Sequence, residues 1–170
     1  MGQASPITRY KIKLMSTMIN STDLINLVND KYIEDNLCKE NTDELIYKQL
    51  FPFYYIPDVQ TDKLSYIMMK IDIFGTKKKL YNHVDVYICV MSHQDCMQVK
   101  NEPGTRIALM AVCVEKLFSG RDDFGFGEMA LVENQESSIT DKHRCRILRF
   151  SVEDFNANAC KDIQWKLFNF

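Results

Sequence analysis

A chain of 170 residues, 46% hydrophobic and 26% charged, is long enough for one domain with a buried core. Its formal net charge of −2 supplies no global field for a polyanion, and no apolar run approaches the ~20 residues of a membrane-spanning helix. The N-terminal residues lack the apolar stretch of a secretory leader, and six irregularly spaced cysteines without a CxxC pair fit reduced thiols in an intracellular protein.

Residues 1–20 carry Arg9, Lys11 and Lys13 and no acid, with an alternating patch at Tyr10, Ile12 and Leu14. They read as an N-terminal arm or an edge strand. Ser21, Thr22 and Asp23 offer side-chain oxygens to the free amides of a first helical turn. Leu24, Leu27, Val28 and Tyr32 follow at helical spacing and predict a helix to about residue 36. Asn41-Thr42-Asp43-Glu44 caps a second, shorter helix that runs through Leu50 and stops before Pro52. The segment Phe51-Pro52-Phe53-Tyr54-Tyr55-Ile56-Pro57 is the densest aromatic cluster. It reads as a rigid loop folded over the core, or as a contact surface for a partner.

Leu64 to Phe74 alternates as a strand, with Ile67, Met69, Ile71 and Ile73 on one face. His83 to Met91 is its hairpin partner, with Val84, Val86, Ile88 and Val90 buried and His83, Asp85 and Tyr87 facing away. Lys77, Lys78 and Lys79 fall in the turn between them. Ser92 to Gly104 is a loop. A helix follows from Thr105, its cap, to Gly120, which ends it in a left-handed turn. Ile107, Met110, Ala111, Val114, Leu117 and Phe118 form the apolar stripe of that helix. Phe124-Gly125-Phe126-Gly127 reads as a flexible link, Glu128 to Glu133 as a short strand, and residues 134–141 as a loop. His143 to Glu153 is the last strand, with Leu148, Phe150 and Val152 facing in. Residues 156–170 form a tail crowded with Trp165, Leu167, Phe168 and Phe170.

The order predicts an α+β fold: a mostly antiparallel sheet of about four strands with helices packed on one face. The expected organisation is an N-terminal arm over 1–20, a single α+β domain over 21–156 and a C-terminal tail or arm over 157–170.

Few residues point to chemistry. Cys89, His93 and Cys96 present three soft ligands, but a structural zinc site requires a fourth. No sequence signal selects one Cys–His pair from the six thiols and three imidazoles. Asp122 and Asp123 beside Arg121 read as a solvated loop. No phosphate-cradling GxxxxGK[ST] occurs, and Gly125-Phe126-Gly127 lacks the third glycine of a dinucleotide site. The chain is therefore expected to be no enzyme and to need no cofactor or metal. Charge, by contrast, is distributed in blocks. Residues 21–62 hold nine acids and three bases, residues 63–100 six bases and three acids, and residues 101–140 seven acids and three bases. Blocks of this kind suit surfaces that meet one another. Arg144 and Arg146 share one strand face, whereas Arg149 lies on the other. Repeated around a ring, such cations would be felt by a polyanion in the lumen.

The succession LIYKQLFPFYYIP, the LSYIMMKIDIF and VDVYICVMSHQ hairpin, PGTRIALMAVCVEKLFSG and DKHRCRILRFSVEDFN resembles the small neck and tail-completion proteins of tailed bacteriophages, and within them the tail terminators. The likeness spans roughly residues 20–156. It implies a sheet-and-helix subunit that forms a hexameric ring, caps the tail tube and joins it to the head-neck connector, with genomic DNA passing through the lumen without sequence-specific binding. It implies a virion protein of the tail or neck, assembled in the host bacterial cytoplasm and without enzyme activity. Its partners would be copies of itself, tail tube and sheath proteins and the connector, with no membrane. The terminal segments would then be arms reaching neighbours. Candidate contact or lumen residues are Lys77, Lys78, Lys79, Phe53, Tyr54, Tyr55, Arg144, Arg146, Trp165 and Phe168. Alternative readings are a head-closure or connector ring protein of the same neck, a non-viral ligand-binding α+β domain with the aromatic loop as pocket rim, and a small thiol or zinc enzyme using Cys89, His93 and Cys96.

Overall fold

The computed structural model describes residues 5–29, 42–54, 63–75 and 80–155. In chain order these form helix α1 (Pro6–Ile19), helix α2 (Thr22–Val28), a 3-10 turn (Thr42–Leu45), strand β1 (Leu50–Phe51), strand β2 (Ser65–Gly75), strand β3 (Tyr81–His93), a second 3-10 turn (Gln94–Cys96), helix α3 (Arg106–Phe118), strand β4 (Phe126–Ser138) and strand β5 (His143–Phe155). The strands make one mixed sheet in the order β1-β2-β3-β5-β4. The architecture is α+β, as expected, with five strands where about four were expected.

The added strand has a local cause. The helix expected through Leu50 stops at Leu45, because Tyr47 takes a left-handed backbone (φ 62°) and its N–H donates to the Leu50 carbonyl at 2.8 Å. The chain thus reverses, and Leu50 and Phe51 run parallel to Ile67 and Met68. Gln49 secures the junction from a buried position: its Nε2 donates to the carbonyls of Val28 and Ser65, both at 3.0 Å.

α1 replaces the expected arm or edge strand. Ser5 caps it, accepting from the Thr8 N–H, and Pro6 begins it, where a missing N–H removes no helical bond. Tyr10, Leu14 and Met18 recur every fourth residue and are buried in the main core. α2 ends at Val28. The remainder of the helix expected to residue 36 lies outside the described residues, as do Lys77, Lys78, Lys79, Tyr55, Trp165, Phe168 and the rest of the tail.

β2 and β3 pair over eleven positions, from Ser65↔Ser92 to Gly75↔Asn82, and β3 and β5 pair from Tyr81↔Phe155 to His93↔His143. Alternation therefore sorts the sheet into two faces. The inner face holds Ile67, Met69, Val84, Val86, Ile88, Val90, Leu148 and Phe150, and α1, α2 and α3 cover it. α3 carries the stripe anticipated from the sequence, with Ile107, Met110, Ala111, Val114 and Phe118 buried. Each of these side chains except the small Ala111 contributes roughly 1.5–3 kcal/mol by leaving water. The outer face carries a smaller cluster of Phe51, Tyr66, Met68, Cys89, Met91 and Cys145.

Two segments depart from expectation near β4. Phe124 is 4% exposed, stacked on Tyr10 at 6.3 Å and edge-on to Phe118 at 5.8 Å, so the expected flexible link is pinned to the core. Gly125 lies so close to β5 that a Cβ would stand 2.4 Å from the Glu153 carbonyl oxygen. β4 also runs on to Ser138 through the residues expected as a loop. Asn134 to Ser138 are exposed on both faces, so backbone pairing to β5 holds them in the strand without any hydrophobic alternation.

Candidate partner-contact surfaces

The aromatic segment divides between core and surface. Phe51 is buried on β1, with Phe53 edge-on at 5.6 Å and Tyr66 at 6.3 Å. Phe53 and Tyr54 are exposed to 44% and 46%. Phe53 also meets Tyr47 at 6.2 Å, and Tyr66 passes the series on to His143 at 6.3 Å, which in turn meets His93 at 5.1 Å. The row thus runs from an exposed rim to buried imidazoles at the sheet's outer face. Burial pushes the Tyr54 hydroxyl pKa upward, with smaller contributions from Cys89, Tyr87, Asp72 and Cys145; these neighbours place the hydroxyl over the outer face.

The two arginines share one strand face, as their spacing requires. Arg144 lies opposite Ser92 and Ser138 and is exposed. Arg146 is engaged: its Nε donates to Asn134 Oδ1 at 2.9 Å and its guanidinium lies 3.3 Å from Glu136. Arg149 sits on the opposite face, between Asp85 at 3.4 Å and Glu133 at 3.2 Å.

The outer face brings Asp85, His83 and Ser151 together, a trio that resembles a nucleophilic relay in composition only. His83 Nε2 faces both Asp85 Oδ1 and Ser151 Oγ at 3.1 Å. A relay needs the carboxylate and the hydroxyl on different ring nitrogens. Here both approach one nitrogen, so the trio lacks relay geometry: Ser151 and His83 share a hydrogen bond, whereas Asp85 Oδ1 makes none among the described residues.

The three soft ligands considered in the sequence are engaged separately. Cys96 Sγ donates to the Lys63 carbonyl at 3.1 Å, and His93 Nδ1 accepts from the Asp95 N–H at 3.2 Å. Cys89 lies on the outer face, where Cys145 is its neighbour. A hydrogen bond with Cys145 and burial raise the Cys89 thiol pKa, while the same bond lowers that of Cys145. Among the described residues, no group of three His, Cys, Asp or Glu side chains is placed to hold a metal ion. No helix in the described residues is long and apolar enough to cross a membrane.

Sequence reasoning missed one concave surface. One side of α1, with Ile12 and Met15, faces Ile46, Tyr47 and Phe53 across an apolar groove of about 570 Å³. Its signal was the second stripe of α1, Thr8-Ile12-Met15-Ile19, which only a helical reading of residues 6–19 would reveal.

A family model described as YomW matches residues 21–152. The chain belongs to the YomW family. The matched span runs from the Ser21 cap of α2 into β5, and α1 precedes it. Among curated proteins none matches the chain. A chain of a solved structure described as "Virion of native gene transfer agent (GTA) particle" is similar with a TM-score of 0.53 at 11% identity, over 85% of this chain and 93% of its own length. At that identity the likeness is one of fold.

Proposed function

We propose that this YomW-family chain is a structural virion protein, a ring-forming tail terminator that caps the tail tube, joins it to the head-neck connector and catalyses no reaction. The observation that carries the reading is the fold it shares over nearly the full length of a chain from a gene transfer agent virion. The blocks of alternating charge supply complementary faces for head-to-tail neighbours in a closed ring. Arg144 is the exposed cation available to a lumen, and Phe53 and Tyr54 are exposed aromatic contacts. Lys77, Lys78, Lys79, Tyr55, Trp165 and Phe168 complete the proposed contact set. The mechanism is occupancy: ring edges satisfy the open end of the tube and stop further tube subunits from adding.

Negative-stain imaging of tails assembled with and without the protein tests this reading. Without it, tails should be overlong and variable; with it, uniform and bearing a terminal ring. Equal length distributions in both samples overturn the terminator role. Normal tails that fail to join heads would assign the head-closure role instead.

A further inference from the structure

The groove beside α1 goes beyond that reading and stands independently of it. Its walls are unusual for a surface: Ile12 is 62% exposed, Tyr47 64% and Phe53 44%. Tyr47 adds a second observation. A bulky side chain at φ 62° adopts a backbone that L-residues avoid. That conformation sits on the groove wall, as strained residues at binding sites do.

We infer that in the free subunit this groove seats the C-terminal segment of the same chain, residues 156–170, through the aromatic side chains of its last positions. Tyr10 of α1 donates its hydroxyl to Asp154 at 2.8 Å, so the end of β5 lies against α1, beside Arg9 and Lys13 and not on the side of Ile12 and Met15 that lines the groove. Docking therefore requires the segment to round the helix. Reach is ample: fifteen residues span up to about 50 Å when extended, whereas α1, with 14 residues, is about 21 Å long. The chemistry matches. Ile163, Trp165, Leu167, Phe168 and Phe170 offer large apolar surface to an apolar trough. The groove's volume lies within the roughly 300–1,000 Å³ of side-chain and ligand sites. Covalent attachment makes the docking intramolecular and therefore independent of protein concentration.

Trp165 is the chain's single tryptophan, so its fluorescence in the full-length protein reads the docking directly. The expected result is a blue-shifted emission, unchanged over a hundred-fold dilution. The double variant Ile12→Glu/Phe53→Glu should shift it to the solvent value and speed acrylamide quenching several-fold. Tyr47→Asn, which tolerates the left-handed backbone, should do the same in part. Val112→Glu, at an exposed site on α3 away from the groove, should change nothing. Circular dichroism confirms that each variant is folded. A wild-type emission already at the solvent value overturns the proposal. So does a blue-shifted emission that the groove variants leave unmoved, and so does one lost on dilution, which would place the segment on another copy.

Discussion

Arg106 shows how a single charged residue joins three parts of this chain. It is 3% exposed at the start of α3. Its Nε donates to the Cys96 carbonyl at 2.6 Å and its NH1 to the Leu27 carbonyl at 2.7 Å, in the last turn of α2. A buried cation is tolerated because its donors reach fixed backbone acceptors, one of them at the negative end of a helix. Arg106→Ala would orphan both carbonyls, and a loss of about 2–4 kcal/mol is expected in chemical denaturation. Arg106→Lys should recover little, since one ammonium group cannot span both acceptors as a planar fork does. An unchanged midpoint for the alanine variant would show that water replaces the guanidinium without penalty.

At the scale of elements, the hold between α1 and the turn before β4 depends on charge. Arg121 grips Asp123 with two nitrogens, at 2.8 Å and 2.5 Å, and Lys13 of α1 adds a contact at 3.0 Å. The hydrogen bond from Arg121, and then that from Lys13, hold the Asp123 carboxyl well below the usual carboxylate range. A carboxyl depressed on folding stabilises the fold above its unfolded pKa of about 3.9 and loses that effect as pH falls. Asp123→Asn should therefore lower stability by at most about 1 kcal/mol near neutral pH, since the group is 39% exposed. The gap from wild type should close as thermal melts are taken below about pH 4. A constant gap down to pH 2 would assign the effect to shape.

β4 allows a second test at this scale. The Ile139 N–H donates to the His143 carbonyl, so odd-numbered amides near the hairpin end point into the sheet. Gln135 N–H then lies in the ladder with β5, and Glu136 N–H points to the sheet's outer edge. Glu136→Pro should cost under about 1 kcal/mol and Gln135→Pro about 2–3 kcal/mol, read from melting temperatures. Equal losses would mean that the register is shifted by one residue.

For the molecule as a whole, the distribution of exposed apolar side chains sets the expectation. Ile12, Tyr47 and Phe53 cluster at the groove, while Phe126 and Val132 lie on β4, the edge strand of the sheet. An edge strand presents unpaired backbone groups that another chain can take up. The irregular register between Leu131 and Glu133 bends the edge and restrains that pairing. A subunit built this way holds its own core while keeping contact surface for assembly. The tail-length and fluorescence experiments address assembly and groove separately, and either reading can fail while the other stands.

Periodicity alone determined the β2–β3 hairpin, β5 and the apolar stripe of α3, because each buries one face and the burial repeats at the element's own period. The same logic separated Arg149 from Arg144 and Arg146. Where burial does not alternate, tertiary structure decided. The polar half of β4 is a strand because β5 pairs with it, and Leu50–Phe51 is a strand because β2 offers it an edge. Over Tyr10, Ile12 and Leu14 the spacing fitted either period, and only packing against the sheet selected the helix, although Ser5 and Pro6 marked its start. The groove was illegible for the same reason: its walls come from residues far apart in sequence, and their proximity is a property of the fold.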